Sequence, residues 1–115
     1  MDRQEASRYF ELGCEYRRQG RHREAVVSLE HVVRFDPENY PAWNNLANSL
    51  ADLGNHDAAI EAWRTAVKVK PDYDIGWHNL GRALLMKSQF KSRPGMVEAV
   101  ACLRAAVRSK PDKQE

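Results

Sequence analysis

Few of the 115 residues combine the types and spacing that a reaction needs. His22, His31, His56 and His78 do not pair with another His, Cys or carboxylate on one helical face in a metal-ligand motif, so no metal or other cofactor is expected. There is no phosphate-cradling glycine loop, nucleophile elbow or H-E-x-x-H, and the acidic residues scatter instead of converging on one point. Cys14 and Cys102 lie near opposite ends without C-x-x-C spacing, as reduced structural thiols do. Catalysis is therefore not expected. Another chemistry is available: the side-chain amides of Asn45, Asn48 and Asn79 both donate and accept, which suits pairing with an extended backbone whatever its side chains. Arg17, Arg18 and Arg82 add cations able to pair with carboxylates.

The elements that position these residues follow from an internal period. A step of 34 residues carries Tyr9 to Trp43 and Trp77, Leu12 to Leu46 and Leu80, and Gly13 to Ala47 and Gly81. It also carries Tyr16 to Leu50 and Leu84, and Gly20 to Gly54, where the third copy has Ser88. Beyond that point the last interval lengthens to 40: Ala25 and Ala59 are matched by Ala99, Leu29 and Trp63 by Leu103, Val33 and Val67 by Val107, and Pro37 and Pro71 by Pro111. Six residues have been inserted in copy three.

Within each copy, apolar and small residues recur three and four apart on both sides of a central turn, the pattern of two amphipathic helices. Trp43, Leu46, Ala47 and Leu50 make one stripe, and Ala59, Trp63, Ala66 and Val67 the other. Gly20-Arg21 and Gly54-Asn55 end the first helices; Pro37 and Pro71 stop the second ones, and Asn39 and Asp74 are placed to cap the helices that follow. Gly13, Ala47 and Gly81 permit close helix approach, with Ala25, Ala59 and Ala99 as their expected partners. Helices of about 14 residues are marginal alone in water, so each pair needs its neighbour to cover an apolar face.

Composition is consistent with one such stack. Apolar residues at 43 % supply one modest core, and a net charge of +2 gives no field to gather nucleic acid or an anionic membrane. No run of about 18 apolar residues is present to span a bilayer, and Met1-Asp2-Arg3-Gln4-Glu5 lacks the apolar stretch of a secretory signal, so a cytoplasmic protein is expected. The basic run from Arg17 to Arg23 straddles the first turn and reads as a solvated helix end, where cations favour the negative pole of the dipole. Trp43, Trp63 and Trp77 occupy the repeating apolar positions and read as core.

The recurring aromatic, Leu, small, aromatic-or-Leu, Ala, large apolar, Ala and Pro positions resemble the tetratricopeptide repeat, over three copies from about Ala6 to Asp112. Departures are Val32 where alanine is usual, Ser88 where a turn glycine is usual, and the insertion. The resemblance implies an all-α, right-handed α-solenoid of three antiparallel helix pairs, six helices, in a single domain over 1–115. Its repeats fall at about 6–39, 40–73 and 74–113, the last with its insertion near 87–95. It further implies a non-catalytic interaction module or scaffold that receives a peptide or partner protein in a groove lined by the first helices, without nucleic acid or membrane insertion.

By helical phase the groove residues are Phe10, Glu11, Cys14, Arg17 and Arg18 in copy one, and Asn44, Asn45, Asn48 and Asp52 in copy two. Copy three supplies His78, Asn79, Arg82, Leu85 and Met86. One subtype of the family clamps a partner's terminal carboxylate with lysine, asparagine and arginine. Here Asn45 alone fits, Ser7 and Glu11 stand in copy one, Ile75 and Asn79 in copy three, and Glu11 repels a carboxylate. The insertion, Lys87 to Gly95, reads as a lengthened turn, or as an extension of the first helix followed by a loop, punctuated by Pro94-Gly95 and offering Phe90 among cations. The sequence stops at Asp112-Lys113-Gln114-Glu115, shortly after the last helix, so Val100, Leu103 and Val107 are expected to lie uncovered. The alternative function is thus self-association, as a homodimer or larger assembly, through the last helix pair.

Overall fold

The computed structural model describes residues 2–88 and 93–109, with side chains over 2–87 and 98–108. It is an all-α solenoid of α1 (Arg3–Arg18), α2 (His22–Phe35), α3 (Tyr40–Asp52), α4 (His56–Val69), α5 (Asp74–Ser88) and α6 (Arg93–Ser109). The pairs α1–α2, α3–α4 and α5–α6 are hairpins, joined through α2–α3 and α4–α5.

The turns form for local reasons. Gly20 and Gly54 adopt φ of +76° and +85°, the left-handed conformation that ends a helix at low cost only where no Cβ is present. Asp2 Oδ1 accepts from Glu5 N at 2.8 Å and Asn39 Oδ1 from Ala42 N at 3.1 Å, satisfying amides that a helix start leaves open. Asp74 departs from the expected capping role. It is the first residue of α5, where its carboxylate sits in the first turn beside the positive end of the dipole.

In copy three α5 runs on to Ser88, as an extension of the first helix into the insertion would give. Its helices α5 and α6 are each longer than α3 and α4, and Pro94 and Gly95 belong to the first turn of α6, where proline's missing N–H costs nothing. Phe90 and its neighbours from 89 to 92 lie outside the described residues, as does Pro111.

Two apolar clusters form the core. Leu29, Val32, Val33, Ala42 and Leu46 fill the first, with the unusual Val32 only 1 % exposed. Ala47, Ala59, Ile60, Trp63, Val67, Leu80, Leu84, Ala99 and Cys102 are among the residues of the second. Trp43 and Leu50 pack against both, which couples the hairpins. Trp63 is buried as expected, whereas Trp43 and Trp77 keep an edge in solvent and donate their indole N–H to Pro37 O and Pro71 O, each at 2.7 Å. That bond repeats one period apart and accounts for the pairing of tryptophan with the closing proline.

The small positions have a different partner from the expected alanines. A Cβ on Gly13 would lie 2.7 Å from Leu29 Cγ, and one on Gly81 would lie 2.8 Å from Leu103 Cγ. Ala25 and Ala99 are fully buried, but a leucine one turn further along the second helix fills the space that glycine vacates.

Candidate functional site

Two polar clusters fasten the first helices to one another. Between α1 and α3, Arg17 Nη1 donates to Asn45 Oδ1 at 3.3 Å, and Asn45 Nδ2 in turn donates to Cys14 Sγ at 3.5 Å. Burial raises the Cys14 thiol, and Arg17 and Arg18 pull it the other way. Between α3 and α5, Asn44 Oδ1 accepts from Asn79 Nδ2 at 3.0 Å, and also from Trp63 Nε1 at 2.9 Å on α4. The amides of Asn44, Asn45 and Asn79 therefore spend hydrogen bonds on the stack itself.

Asn44 is corrected most: at 8 % exposed, it lies beneath the face on which helical phase would place it. Adjacent positions on a helix differ by about 100°, so Asn44 and Asn45 look in different directions and only the second is half-open. Leu85 is also drawn inward, half-buried against the second core cluster. Asp52 is exposed but stands 3.5 Å from His22 Nδ1, reaching across to α2.

Other expected residues lie open. Asn48 is half-buried and His78, Arg82 and Met86 are exposed; none of these side chains makes a hydrogen bond or ion pair among the described residues. Arg17 is half-buried, and its Nε is covered without a hydrogen-bond partner. Arg18 is exposed and paired with Glu15 on its own helix. Phe10 and Glu11 line a hollow of about 740 Å³ with Ser7, Phe35, Asn39 and Pro41, floored by buried Val32. The structure thus joins Cys14, Arg17 and Asn45 in one cluster, Asn44 and Asn79 in another, and sets Phe10 and Glu11 apart.

The basic turn is more engaged than a solvated helix end. Arg21 Nη2 pairs with Glu24 Oε2 at 3.1 Å, and its guanidinium lies 4.6 Å from the centre of the Tyr16 ring. On the last pair, Val100 and Val107 are 41 % and 73 % exposed, and with half-buried Leu103 they border a hollow of about 460 Å³.

Sequence reasoning passed over Arg64, which pairs with Glu61 on its own helix. It also grips Glu98 on α6, with Nη2–Oε1 at 2.6 Å and Nε–Oε2 at 3.1 Å, and Glu98 raises its already high pKa. No periodic signal marked it: Arg64 and Glu98 are 34 residues apart, whereas the second helices of copies two and three repeat at 40, which sets Glu98 at the position of Ala58. Among the described residues no group of three or more His, Cys, Asp and Glu is arranged to hold a metal ion, and no helix is long and apolar enough to cross a membrane.

Residues 6–39 and 40–73 each match a family model described as tetratricopeptide repeat. The chain is 29 % identical over 83 residues to an Hsp70-Hsp90 organising protein of Plasmodium falciparum, a match covering 72 % of this chain and 33 % of that protein. It thus spans about a third of the length of that relative. Among solved structures it is similar to the first TPR of Spaghetti (RPAP3) bound to HSP90 peptide SRMEEVD. There the TM-score is 0.84 at 22 % identity, covering 99 % of this chain and 86 % of that one. It is similar, too, to the Yersinia enterocolitica type III secretion translocator chaperone SycD, with a TM-score of 0.86 at 15 % identity, covering 99 % and 74 %. At these identities the structural likeness is one of fold.

Proposed function

Because the chain belongs to the tetratricopeptide repeat family, we propose that it is a non-catalytic interaction module holding a peptide segment or partner protein against the face formed by α1, α3 and α5. The observation that carries this reading is the pair of cross-helix clusters, Arg17–Asn45–Cys14 and Asn44–Asn79. They fix the three first helices in one alignment and leave Asn48, His78, Arg82 and Met86 unspent on it. A rigid face loses little freedom on binding, so its contacts convert efficiently into affinity. Asn48 offers a donor and an acceptor to a ligand backbone, Arg17 and Arg82 receive carboxylates, and the Phe10 hollow accepts an apolar side chain. The same reading takes residues 1–115 as one repeat domain acting in the reducing cytoplasm, where the thiols of Cys14 and Cys102 stay free.

A partner whose terminal carboxylate docks beside Glu11 is disfavoured by charge, so the ligand in this reading differs from the HSP90 peptide SRMEEVD to which the Spaghetti domain is bound. Asn45 and Asn79 are unsuitable test positions, because replacing them loosens the stack itself. Capture of partners by the wild-type chain should instead be compared with Asn48→Ala/Arg82→Ala. The double variant is expected to keep its helical circular dichroism and lose its specific partners, and undiminished capture would overturn the assignment. Self-association through α6 is the second reading, favoured by the exposure of Val107. A sedimentation mass that rises with concentration in the wild type, but not in Val107→Glu, would support it.

A further inference from the structure

A second site lies on the opposite side of the stack, between the second helices α4 and α6. A hollow of about 760 Å³ opens there over α5. Its walls are apolar: Val67, Trp77, Leu80, Ala101, Cys102 and Ala105 all line it. The Trp77 ring is held in place by the bond from its indole N–H to Pro71 O, so the wall is preformed. Counting back 40 residues, Ala101 and Ala105 stand where α4 carries Glu61 and Thr65. The corresponding positions of α4 carry longer side chains, whereas α6 presents only methyl groups there, and the hollow lies along them.

The charges around the rim are unequal. Arg64 is consumed by Glu98 and Glu61, and Asp72 is paired with Lys70 at 3.1 Å. Lys68 on α4 and Arg108 on α6 also line the hollow, both exposed, and neither makes an ion pair among the described residues. An apolar trough flanked on both walls by unspent cations selects one kind of occupant. We infer that the α4–α6 trough docks an acidic amphipathic peptide segment, which lays a large apolar side chain over Trp77, Ala101 and Ala105 and its carboxylates against Lys68 and Arg108. This site is separate from the first-helix face and does not depend on it.

The test is calorimetric titration of the intact chain with the peptide Ac-EELFEELLEE-amide and its lysine counterpart Ac-KKLFKKLLKK-amide. The acidic peptide is expected to bind with a Kd on the order of 10–100 µM, and the basic one at least about tenfold more weakly. Ala101→Glu/Ala105→Thr installs the side chains that α4 already carries at these positions, so the fold tolerates it and the trough is filled. It should weaken binding by about tenfold or more, as should Lys68→Glu/Arg108→Glu, whereas Asn48→Ala/Arg82→Ala should bind as the wild type does. The inference is overturned by absence of binding at about 1 mM, by equal affinity for the two peptides, by undiminished binding to the filled trough, or by loss of binding in the first-helix variant.

Discussion

Truncating Asn44 to alanine should unfasten three helices at once. The single oxygen Asn44 Oδ1 on α3 accepts from Trp63 Nε1 on α4 and from Asn79 Nδ2 on α5. Trp63 is only 5 % exposed, so its indole N–H would be left in the core without an acceptor, at a cost of about 1–3 kcal/mol. Asn79 is half-open and its amide can turn to water, which adds little. The void left by the lost amide contributes about 1 kcal/mol more, for a total of about 2–4 kcal/mol. Urea unfolding followed by far-UV circular dichroism reads this directly: with a slope of about 1–3 kcal/mol per molar, the midpoint should fall by about 1–2 M. A double-mutant cycle with Trp63→Phe removes the donor as well as the acceptor, and a coupling energy of about 1 kcal/mol or more is expected. An Asn44→Ala effect below about 0.5 kcal/mol, or zero coupling with Trp63, would refute the claim that this amide holds the hairpins together.

Two further outcomes follow from the packing. Gly81→Ala places a Cβ 2.8 Å from Leu103 Cγ and 3.2 Å from Leu103 N, so α5 and α6 must move apart, and a loss of about 1–3 kcal/mol in thermal or urea unfolding is expected. The Cys102 thiol is pushed up to about 11 from 9.0 by burial, with the Glu98 charge adding to it. The folded chain therefore retains a proton that the unfolded chain releases first. That contribution to stability is present below pH 9 and lost as the pH rises towards 11, and Cys102→Ala should flatten this part of the stability profile against pH relative to wild type.

The helices, their order and their turns were legible because each rests on a local cause that recurs. The 34-residue step and the two glycines fix where α1 and α3 end, and periodic apolar spacing identifies the stripes that meet. What was not legible depends on angles finer than the period. Asn44 and Asn45 are neighbours of the same type, yet one accepts two hydrogen bonds, that from Trp63 buried, and the other bridges to α1. Only the relative placement of three helices decides which carbonyl meets which donor. Gly13 likewise announces a close approach without saying that Leu29, instead of Ala25, will fill it, because side chains on a helix lean toward its N-terminus and cover the turn before their own. The charge pair across the last repeats belongs with what was not legible: at the 40-residue interval Glu98 takes the position of Ala58, so its pairing with Arg64 shows only once the stacking is known.

The same logic explains why the two sides of the stack differ in what they offer. On the first-helix side, polar residues must hold α1, α3 and α5 in line, and the amides of Asn44, Asn45 and Asn79 are the means. A face built this way is firm and has few donors left over, Asn48 and Arg82 among them. On the second-helix side the polar tie between α4 and α6 among the described residues is Arg64 with Glu98. Below that tie the helices are kept apart by α5, and the side chains that would fill the gap are alanines. Rigidity on one side and an apolar trough on the other are therefore outcomes of one arrangement, in which α3 and α5 are each wedged between two second helices. Substitutions that fill the trough should leave the first-helix alignment intact, since the fastening bonds of that face run through none of the trough-lining side chains.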